Sequence, residues 1–547
     1  MSMAKVGPSI EASGVSKIYG AGTAAAVEAV STVSFTVPQG QFVAILGPSG
    51  CGKSTLLMMV GGLEAVSSGN IIVAGEPMTG PRTSIGVMFQ DPTLLPWKSA
   101  LDNVLFPVRV LKRRIEDYRE AAHDLLQQVG LDGFEHKRPL ELSGGMRQRV
   151  AICRTLVYDP DVLLMDEPFS ALDAISRDEM NELLLDLWQQ FTKTALFVTH
   201  SIREAVLLAD RVLVMTKRPA TIVEDLAVPF ARPRSMALGE NREFNEICRH
   251  LRERIEESHG RSRALRAGAT AWRRGGKVSV EIPGAAPLAS ILAISPSLRR
   301  VRPIVLPIVT AAAALLLWQF AAVQLHIPSV ILPTPIEIAR ELWLALPVLI
   351  EQATPTALDT LLAFAAAALL GIGLAVVLTY SPLLRDTLYP NLVFFQLVPK
   401  VALAPLFVIW LGFGSPARVA FATFISFFPV VIAAAVGFAG TDPAALRLCR
   451  SLTASEWQCF LLVRFPFALP AIFSGFKVAM TMAVVGVIIG EFISSQAGLG
   501  HYILNAGSRL NTADVFAALA VLSGLGVALY GAVALAEFGV RRVYGRH

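Results

Sequence analysis

Hydrophobic and polar positions divide the chain into two regimes. Up to residue 257, short apolar runs alternate with stretches of helical spacing, the pattern of an α/β domain. Gln41–Leu46 (QFVAIL) and Val162–Met165 (VLLM) read as buried strands, one ending in Gly47 and the other in Asp166-Glu167. The run NREFNEICRHLRERIEE reads as a polar amphipathic helix that closes this half. From residue 301 the pattern changes to long apolar stretches. A helix needs about 20 mostly apolar residues to cross a bilayer. Five stretches qualify: 303–325, 356–380, 416–440, 467–493 and 513–538. A sixth, 388–411, is interrupted by Pro399, Lys400 and Pro405 and is counted as a span. The segment 327–355 is more polar and is expected to be extracytoplasmic or interfacial. Between the halves, 258–300 is rich in Gly, Ala, Ser, Pro and Arg without a sustained period, and reads as a flexible basic linker. The expected domains are therefore 1–257, a linker 258–300, and a membrane domain 301–547.

Composition supports the division. The 547 residues are 53% hydrophobic and only 17% charged, too apolar for an ordinary soluble enzyme. Residues 301–547 hold just 13 Lys/Arg and 10 Asp/Glu, so the first half carries charge at the density of about a quarter usual for globular domains. Disorder, collagen and a small disulfide scaffold are excluded. Cys51, Cys153, Cys248, Cys449 and Cys459 show no CxxC spacing, so neither a metal site nor a disulfide framework is read. The net charge of +5 comes from arginines flanking apolar segments, which favours a lipid surface over nucleic acid as partner. The start, MSMAKVGPSIEASG, has no apolar core, so no signal peptide is expected and the first half is expected in the cytosol. With the first span entering from there, the inner side holds Arg299, Arg300, Arg302, Arg385, Arg447, Arg450, Arg464, Arg541, Arg542 and Arg546. The outer side holds only Arg340, Arg418 and Arg509, in accord with the positive-inside rule.

The first half carries phosphate chemistry. Gly47-Pro-Ser49-Gly50-Cys51-Gly52-Lys53-Ser54-Thr55 stands between a strand and an apolar helical start, the context a GxxxxGK[ST] loop needs. Its glycines let backbone N–H groups face phosphate oxygens, and the following helix N-terminus adds positive potential. Lys53 reaches the outer phosphates, and the Ser54 hydroxyl suits Mg²⁺. At a strand's C-terminal end, Asp166 would hold Mg²⁺ through water and Glu167 would polarise an attacking water. Alone, that pair reads equally as a strand-end turn; the upstream loop changes its meaning.

Between these motifs lies Leu142-Ser143-Gly144-Gly145-Met146-Arg147-Gln148-Arg149. With it, residues 9–257 resemble the ATPase of ABC transporters, whose signature is LSGGQ; Met146 replaces the Gln. The resemblance implies further roles. Tyr19 in SKIYG matches the aromatic that stacks on adenine. Gln90 in VMFQDP matches the Q-loop, which senses Mg²⁺ and faces the membrane domain. Ser170-Ala171-Leu172-Asp173 matches the D-loop, and His200 in FVTH the switch histidine at the γ-phosphate. It also implies that two such domains face each other, each ATP lying between one chain's Lys53 loop and the other's Ser143, Gly144, Gly145 and Met146.

The loop 441–464 of the membrane half, TDPAALRLCRSLTASEWQCFLLVR, has helical spacing between two spans. It resembles the EAA coupling loop of ABC importer permeases, which docks on the ATPase near its Q-loop through positions such as Ala445, Leu448, Leu452, Thr453 and Trp457. The family usually has Gly where Thr453 stands, so the loop is expected either to straighten or to bend with a side chain. VALAPLFVIWLGFG at 401–414, GLGHYILNA at 498–506 and FQDPTLLPW in the ATPase fit the nitrate/sulfonate/taurine type. The implied architecture is an α/β P-loop ABC ATPase domain followed by an all-α, six-helix transmembrane permease of type I importer kind, fused in one chain. The implied cofactors are ATP and Mg²⁺. The implied partners are a second copy of the chain and an extracytoplasmic solute-binding protein, at a bacterial cytoplasmic membrane. An exporter is the rival, opposed by the loop and by the lack of long inner helical extensions. Ionisable residues within spans default to functional hypotheses. Lys477 can snorkel to the inner face, Glu491 reads as a helix-end group, and Lys400 is a candidate for the pathway. The two lysines favour an anion; a thiamine-precursor pyrimidine is the neutral alternative.

Overall fold

The computed structural model describes residues 9–23, 25–264 and 296–544, which fall into two compact units. The first holds the chain to residue 264 together with 441–466 and the last described residues, 541–544. The second holds the helices between.

Ten strands follow in the first unit: β1 (Ile10–Tyr19), β2 (Val27–Val37), β3 (Phe42–Leu46), β4 (Ser68–Val73), β5 (Glu76–Pro77), β6 (Ile85–Met88), β7 (Val162–Asp166), β8 (Thr194–Thr199), β9 (Arg211–Met215) and β10 (Ile222–Ala227). β2-β1-β4-β5 form an antiparallel sheet. β10-β9-β3-β8-β7-β6 form a sheet that is parallel apart from the β9–β10 pair. Every residue of β3, β7 and β8 is buried, which is why these strands are unbroken apolar runs: a parallel sheet is covered on both faces. The central order β3-β8-β7 has a functional consequence. The loops that follow β3, β7 and β8 leave the same edge side by side, where such sheets bind ligands.

The polar closing helix runs Arg242–Ala264, with Phe244 and Leu251 buried against the domain. It continues past 257, and the next helix starts at Pro296, so helix occupies both ends of the segment expected to be linker. The remainder, 265–295, lies outside the described residues. Segment 441–466 forms a helix, Pro443–Ser451, then a bend and a second helix beginning at Glu456. The first packs beside β6, and Gln458 Nε2 donates to the Val110 carbonyl at 2.7 Å.

Among the described residues, five helices are long and apolar enough to cross a membrane: Val305–Gln324, Pro335–Tyr380, Ser415–Ala439, Glu456–Ser494 and Thr512–Arg542. Two expectations gain structural detail. Residues 335–355 are continuous with the following span in one 46-residue helix. At 1.5 Å per residue this helix is about 69 Å long, well beyond a bilayer core of about 30 Å. Its start is fixed locally. Thr334 Oγ1 accepts from Glu337 N at 3.3 Å, Glu337 Oε2 accepts from Thr334 N at 2.8 Å, and Pro335 sits at the first helical position. Second, 388–411 is not a straight span: Pro382–Leu397 and Lys400–Leu411 meet at 92°. Pro399 lacks the N–H and Val398 is extended, which ends the first helix there.

Polar contacts pin the second unit. Arg418 Nε and Nη2 lie 2.8 and 2.7 Å from Asp359 Oδ2, Ser415 Oγ donates to Asp359, and Arg418 Nη1 donates to Ser495 Oγ at 3.1 Å. Glu491 is wholly buried and accepts from Thr356 Oγ1 and Gly500 N, both at 2.7 Å. It thereby caps the next helix, Leu499–Ser508, as a helix-end group. Lys477 pairs with buried Glu537.

Candidate nucleotide site and coupling loop

The loop after β3 curls because Gly52 holds φ at +126°, where a Cβ would stand 2.8 Å from the Ala29 carbonyl. Gly47 is equally confined, a Cβ there meeting Met215 O at 2.9 Å. Helix Lys53–Val60 follows, and Cys51 is buried at its start, its thiol pushed up by that burial. Lys53 is buried; its ammonium donates to Gly47 O at 2.9 Å and Pro48 O at 3.1 Å and lies 3.3 Å from Glu167 Oε1. The loop thus holds a preformed cation at its centre, with Ser49 and Gly50 exposed above it or nearly so.

Asp166 and Glu167 arrive on β7. Ser54 Oγ donates to Asp166 Oδ1 at 2.7 Å, so a hydroxyl and a carboxylate oxygen stand together as hard donors suited to Mg²⁺. Burial raises the Asp166 carboxyl, and the Ser54 bond pulls it back. Glu167 takes φ +42°, a left-handed backbone rare for a side chain of this size. His200, at the end of β8, places Nδ1 2.9 Å from Glu167 Oε2. The structure therefore brings Lys53, Ser54, Asp166, Glu167 and His200 into one cluster. Tyr19 is 40% exposed beside it, its hydroxyl 3.5 Å from Thr55 Oγ1. Gln90 is not part of this cluster: its amide donates to Ser170 Oγ at 3.2 Å.

Ser143 caps helix Gly144–Leu156, its Oγ accepting from Met146 N at 3.2 Å. Ser143 and Gly144 are exposed, and Gly145 and Met146 partly so. Among the described residues no hydrogen bond or ion pair joins this turn to the Lys53 loop. Asp173 caps the helix Ala174–Phe191; the Ser176 amide and hydroxyl, both at 3.0 Å, hold its carboxyl below the usual range.

Sequence reasoning assigned no role to Arg154 and Asn103, which organise the segment after Gln90, or to Gln148, which braces the loop after β7. Arg154, fully buried on the signature helix, donates to Thr93 O at 2.7 Å and Pro92 O at 2.8 Å. Asn103 accepts from Leu95 N at 2.8 Å and donates to Leu95, Lys98 and Ser99 carbonyls. Gln148 donates to Pro168 O beside the β7 loop. A charge in the apolar run AICRTL was the available signal for Arg154.

Comparison with known proteins finds matches to both halves of the chain. A family profile described as "ABC transporter" covers residues 30–170. A second, "Binding-protein-dependent transport system inner membrane component", covers 367–542. The nitrate import ATP-binding protein of Synechococcus elongatus is 47% identical over 209 residues, 38% of this chain and 76% of that protein. The chain belongs to the ABC transporter family. The taurine import ATP-binding protein of Rhizobium johnstonii is likewise 47% identical, over 38% of this chain and 79% of its own length. An uncharacterised ABC transporter ATP-binding protein of Methanocaldococcus jannaschii is 42% identical over 42% of this chain and 87% of its length. This ABC transporter chain therefore joins a nucleotide-binding ATPase, whose hydrolysis is coupled to transport, to a multi-pass permease domain of the binding-protein-dependent kind.

Within that family frame, the 441–466 segment is informative. Ala445, Leu448 and Leu452 are buried. Trp457 is not: it lies 61% exposed, stacked on Phe460 at 5.5 Å. Thr453 keeps the bend with φ +56°, and Ala454 N closes it on Cys449 O at 3.0 Å. A β-branched residue in this region costs roughly 1–2 kcal/mol, and glycine gives part of that back as chain entropy. Thr453→Gly is thus expected to raise the apparent thermal unfolding midpoint of the full chain by a few degrees. A midpoint that falls would show that the Thr453 side chain contributes more than its backbone costs.

Proposed function

We propose that the chain is the ATPase-permease subunit of an importer that moves a small solute, an anion such as nitrate or a sulfonate, or the zwitterionic sulfonate taurine, across a bacterial cytoplasmic membrane. A second copy completes it, and an extracytoplasmic solute-binding protein delivers the solute. The observation that carries the reading is the seat of segment 441–466. A stretch from between two spans lies in the ATPase's compact unit, beside the strand that runs into Gln90. A joint at that place couples nucleotide state to the membrane helices. The names of the nitrate- and taurine-import relatives support the direction and the solute class.

In this reading ATP lies on the Gly47–Thr55 loop, with Tyr19 against the adenine and Lys53 on the outer phosphates. Ser54 and Asp166 would hold Mg²⁺, which neutralises phosphate charge, and Gln90 would join them on leaving Ser170. Glu167 orients and deprotonates the attacking water, and His200 contacts the γ-phosphate. Ser143, Gly144, Gly145 and Met146 of the second copy close the site, which fits their exposure and their separation from their own chain's loop.

Crossing parity supports the topology. If 441–466 lies on the ATPase's side, an even number of crossings precedes residue 440. Val305–Gln324, Pro335–Tyr380 and Ser415–Ala439 supply three, so the pair bent by 92° supplies the fourth. The test is uptake of labelled nitrate, taurine, an alkanesulfonate and a hydroxymethylpyrimidine by cells carrying the native gene neighbourhood. The intact chain is expected to accumulate one of them and Glu167→Gln none. Glu167-dependent loss of a preloaded compound would instead establish an exporter.

A further inference from the structure

We infer that Lys400 is the membrane-domain contact for a small, singly charged anionic solute, which rests on the import reading and specifies its substrate class. The first observation is depth. Lys400 Nζ lies 4.8 Å from the centre of the Phe428 ring. Phe428 stands near the middle of helix Ser415–Ala439, about 20 Å from one end and 16 Å from the other at 1.5 Å per residue. The ammonium is therefore at mid-depth of a hydrocarbon core about 30 Å thick. A lysine there costs about 2.5–3.5 kcal/mol on insertion scales and does not persist against lipid without a polar route or partner.

The second observation is charge. Two other basic residues on the membrane helices are neutralised: Arg418 by Asp359 and Lys477 by Glu537. Among the described residues, Lys400 has no carboxylate partner. A ring face alone meets its charge, an interaction of about 0.5–2 kcal/mol. It is half-buried rather than sealed.

The third is the backbone. Lys400 opens the helical turn immediately after the break between helices that meet at 92°. Non-helical backbone at membrane depth is tolerated where it is packed in protein or lines a cavity, and transporters place solute sites at such interruptions. Beside the break, Phe407, Phe421, Phe424 and Phe428 form a connected aromatic wall, with ring centroids 5.3–5.7 Å apart. The arrangement offers one cation, one apolar wall and no competing anion. It fits a compact monovalent anion and gives a neutral heterocycle no counterpart for the ammonium.

The test uses the full chain in cells carrying the native gene neighbourhood, with the four-solute panel above. Losing one charge-assisted contact is expected to lower uptake of the transported anion about tenfold to a hundredfold in Lys400→Gln. Lys400→Arg should retain most uptake, and both variants should keep the basal ATP hydrolysis of the wild type. Undiminished anion uptake by Lys400→Gln overturns the assignment and leaves the import reading standing. Uptake of the pyrimidine alone overturns the anion class. A second measurement does not depend on uptake or on folding of a variant. The wild-type chain in nanodiscs is acylated with acetic anhydride, with or without millimolar nitrate, taurine, the alkanesulfonate or the pyrimidine, and labelling of Lys400 is read by mass spectrometry. Protection by nitrate or the alkanesulfonate and not by the pyrimidine supports the site even if no solute accumulates and the import reading falls. Equal labelling in every arm sinks it.

Discussion

Glu167→Gln in the purified full chain is expected to lower ATP hydrolysis on the order of 10²–10⁴-fold, the usual contribution of a positioned general base, while ATP binding is retained. The expectation rests on how Glu167 is held. It follows the last residue of a fully buried strand, with its amide bonded to Val198 O at 2.9 Å. One carboxylate oxygen faces Lys53 at 3.3 Å and the other His200 at 2.9 Å. The strained backbone at φ +42° is a cost consistent with a demand on side-chain placement. Glutamine preserves shape and removes the basic oxygen. Phosphate release by chains in nanodiscs measures hydrolysis, and a fluorescent ATP analogue measures binding. Hydrolysis within threefold of wild type would remove Glu167 from the role of base. Loss of binding alongside hydrolysis would instead make the residue part of the Lys53 cradle.

What the sequence made legible follows from how far information travels along a chain. The strand around Phe42–Leu46, the loop to Thr55, and the Asp166-Glu167 step are local patterns, and their spacing alone implies a phosphate cradle. Their assembly with His200 was legible only through resemblance, because adjacency of β3, β8 and β7 is a property of the sheet. For contacts spanning great sequence separation, the chain marked at most one partner, as the charge in AICRTL marks Arg154, and not what it meets. Gln458 reaches Val110 across 348 positions, and Arg154 clamps Thr93 across 61. Apolar content identified the membrane helices but not their ends. Residues 335–355 read as interfacial because Glu337, Arg340, Glu341 and Glu351 dilute the pattern, whereas the Thr334–Glu337 cap and helical spacing carry the helix through. The break at Pro399 was visible as composition, but its 92° angle is set by packing. At Thr453 the sequence allowed two outcomes, and the backbone chose the bend.

Arg418→Met is expected to be the most damaging single change in the membrane domain, and its rescue is the sharper prediction. From sequence Arg418 is an outer flanking residue of the kind that sits in the headgroups. In the structure it is 8% exposed and faces Asp359, itself 4% exposed, through two nitrogens at 2.7 and 2.8 Å. The pair ties helix Pro335–Tyr380 to helix Ser415–Ala439, and Ser495 extends the tie to the end of the helix that leaves the coupling segment. Removing the guanidinium leaves the Asp359 carboxylate buried with Ser415 as its one donor among the described residues, and breaking such a pair typically costs about 3–5 kcal/mol. That is a large share of the 5–15 kcal/mol by which domains are ordinarily stable. Little of the variant should therefore be recovered as monodisperse protein after extraction. Removing both charges is a different matter, because apolar replacements of similar volume for a buried pair are often neutral or stabilising. Asp359→Leu combined with Arg418→Met should thus recover most of the yield and thermal midpoint lost in the single variant. A double variant no better than Arg418→Met would mean that the arginine acts through its packing or through Ser495 rather than by neutralising Asp359. A single variant of undiminished yield would mean that water reaches Asp359 and carries its charge.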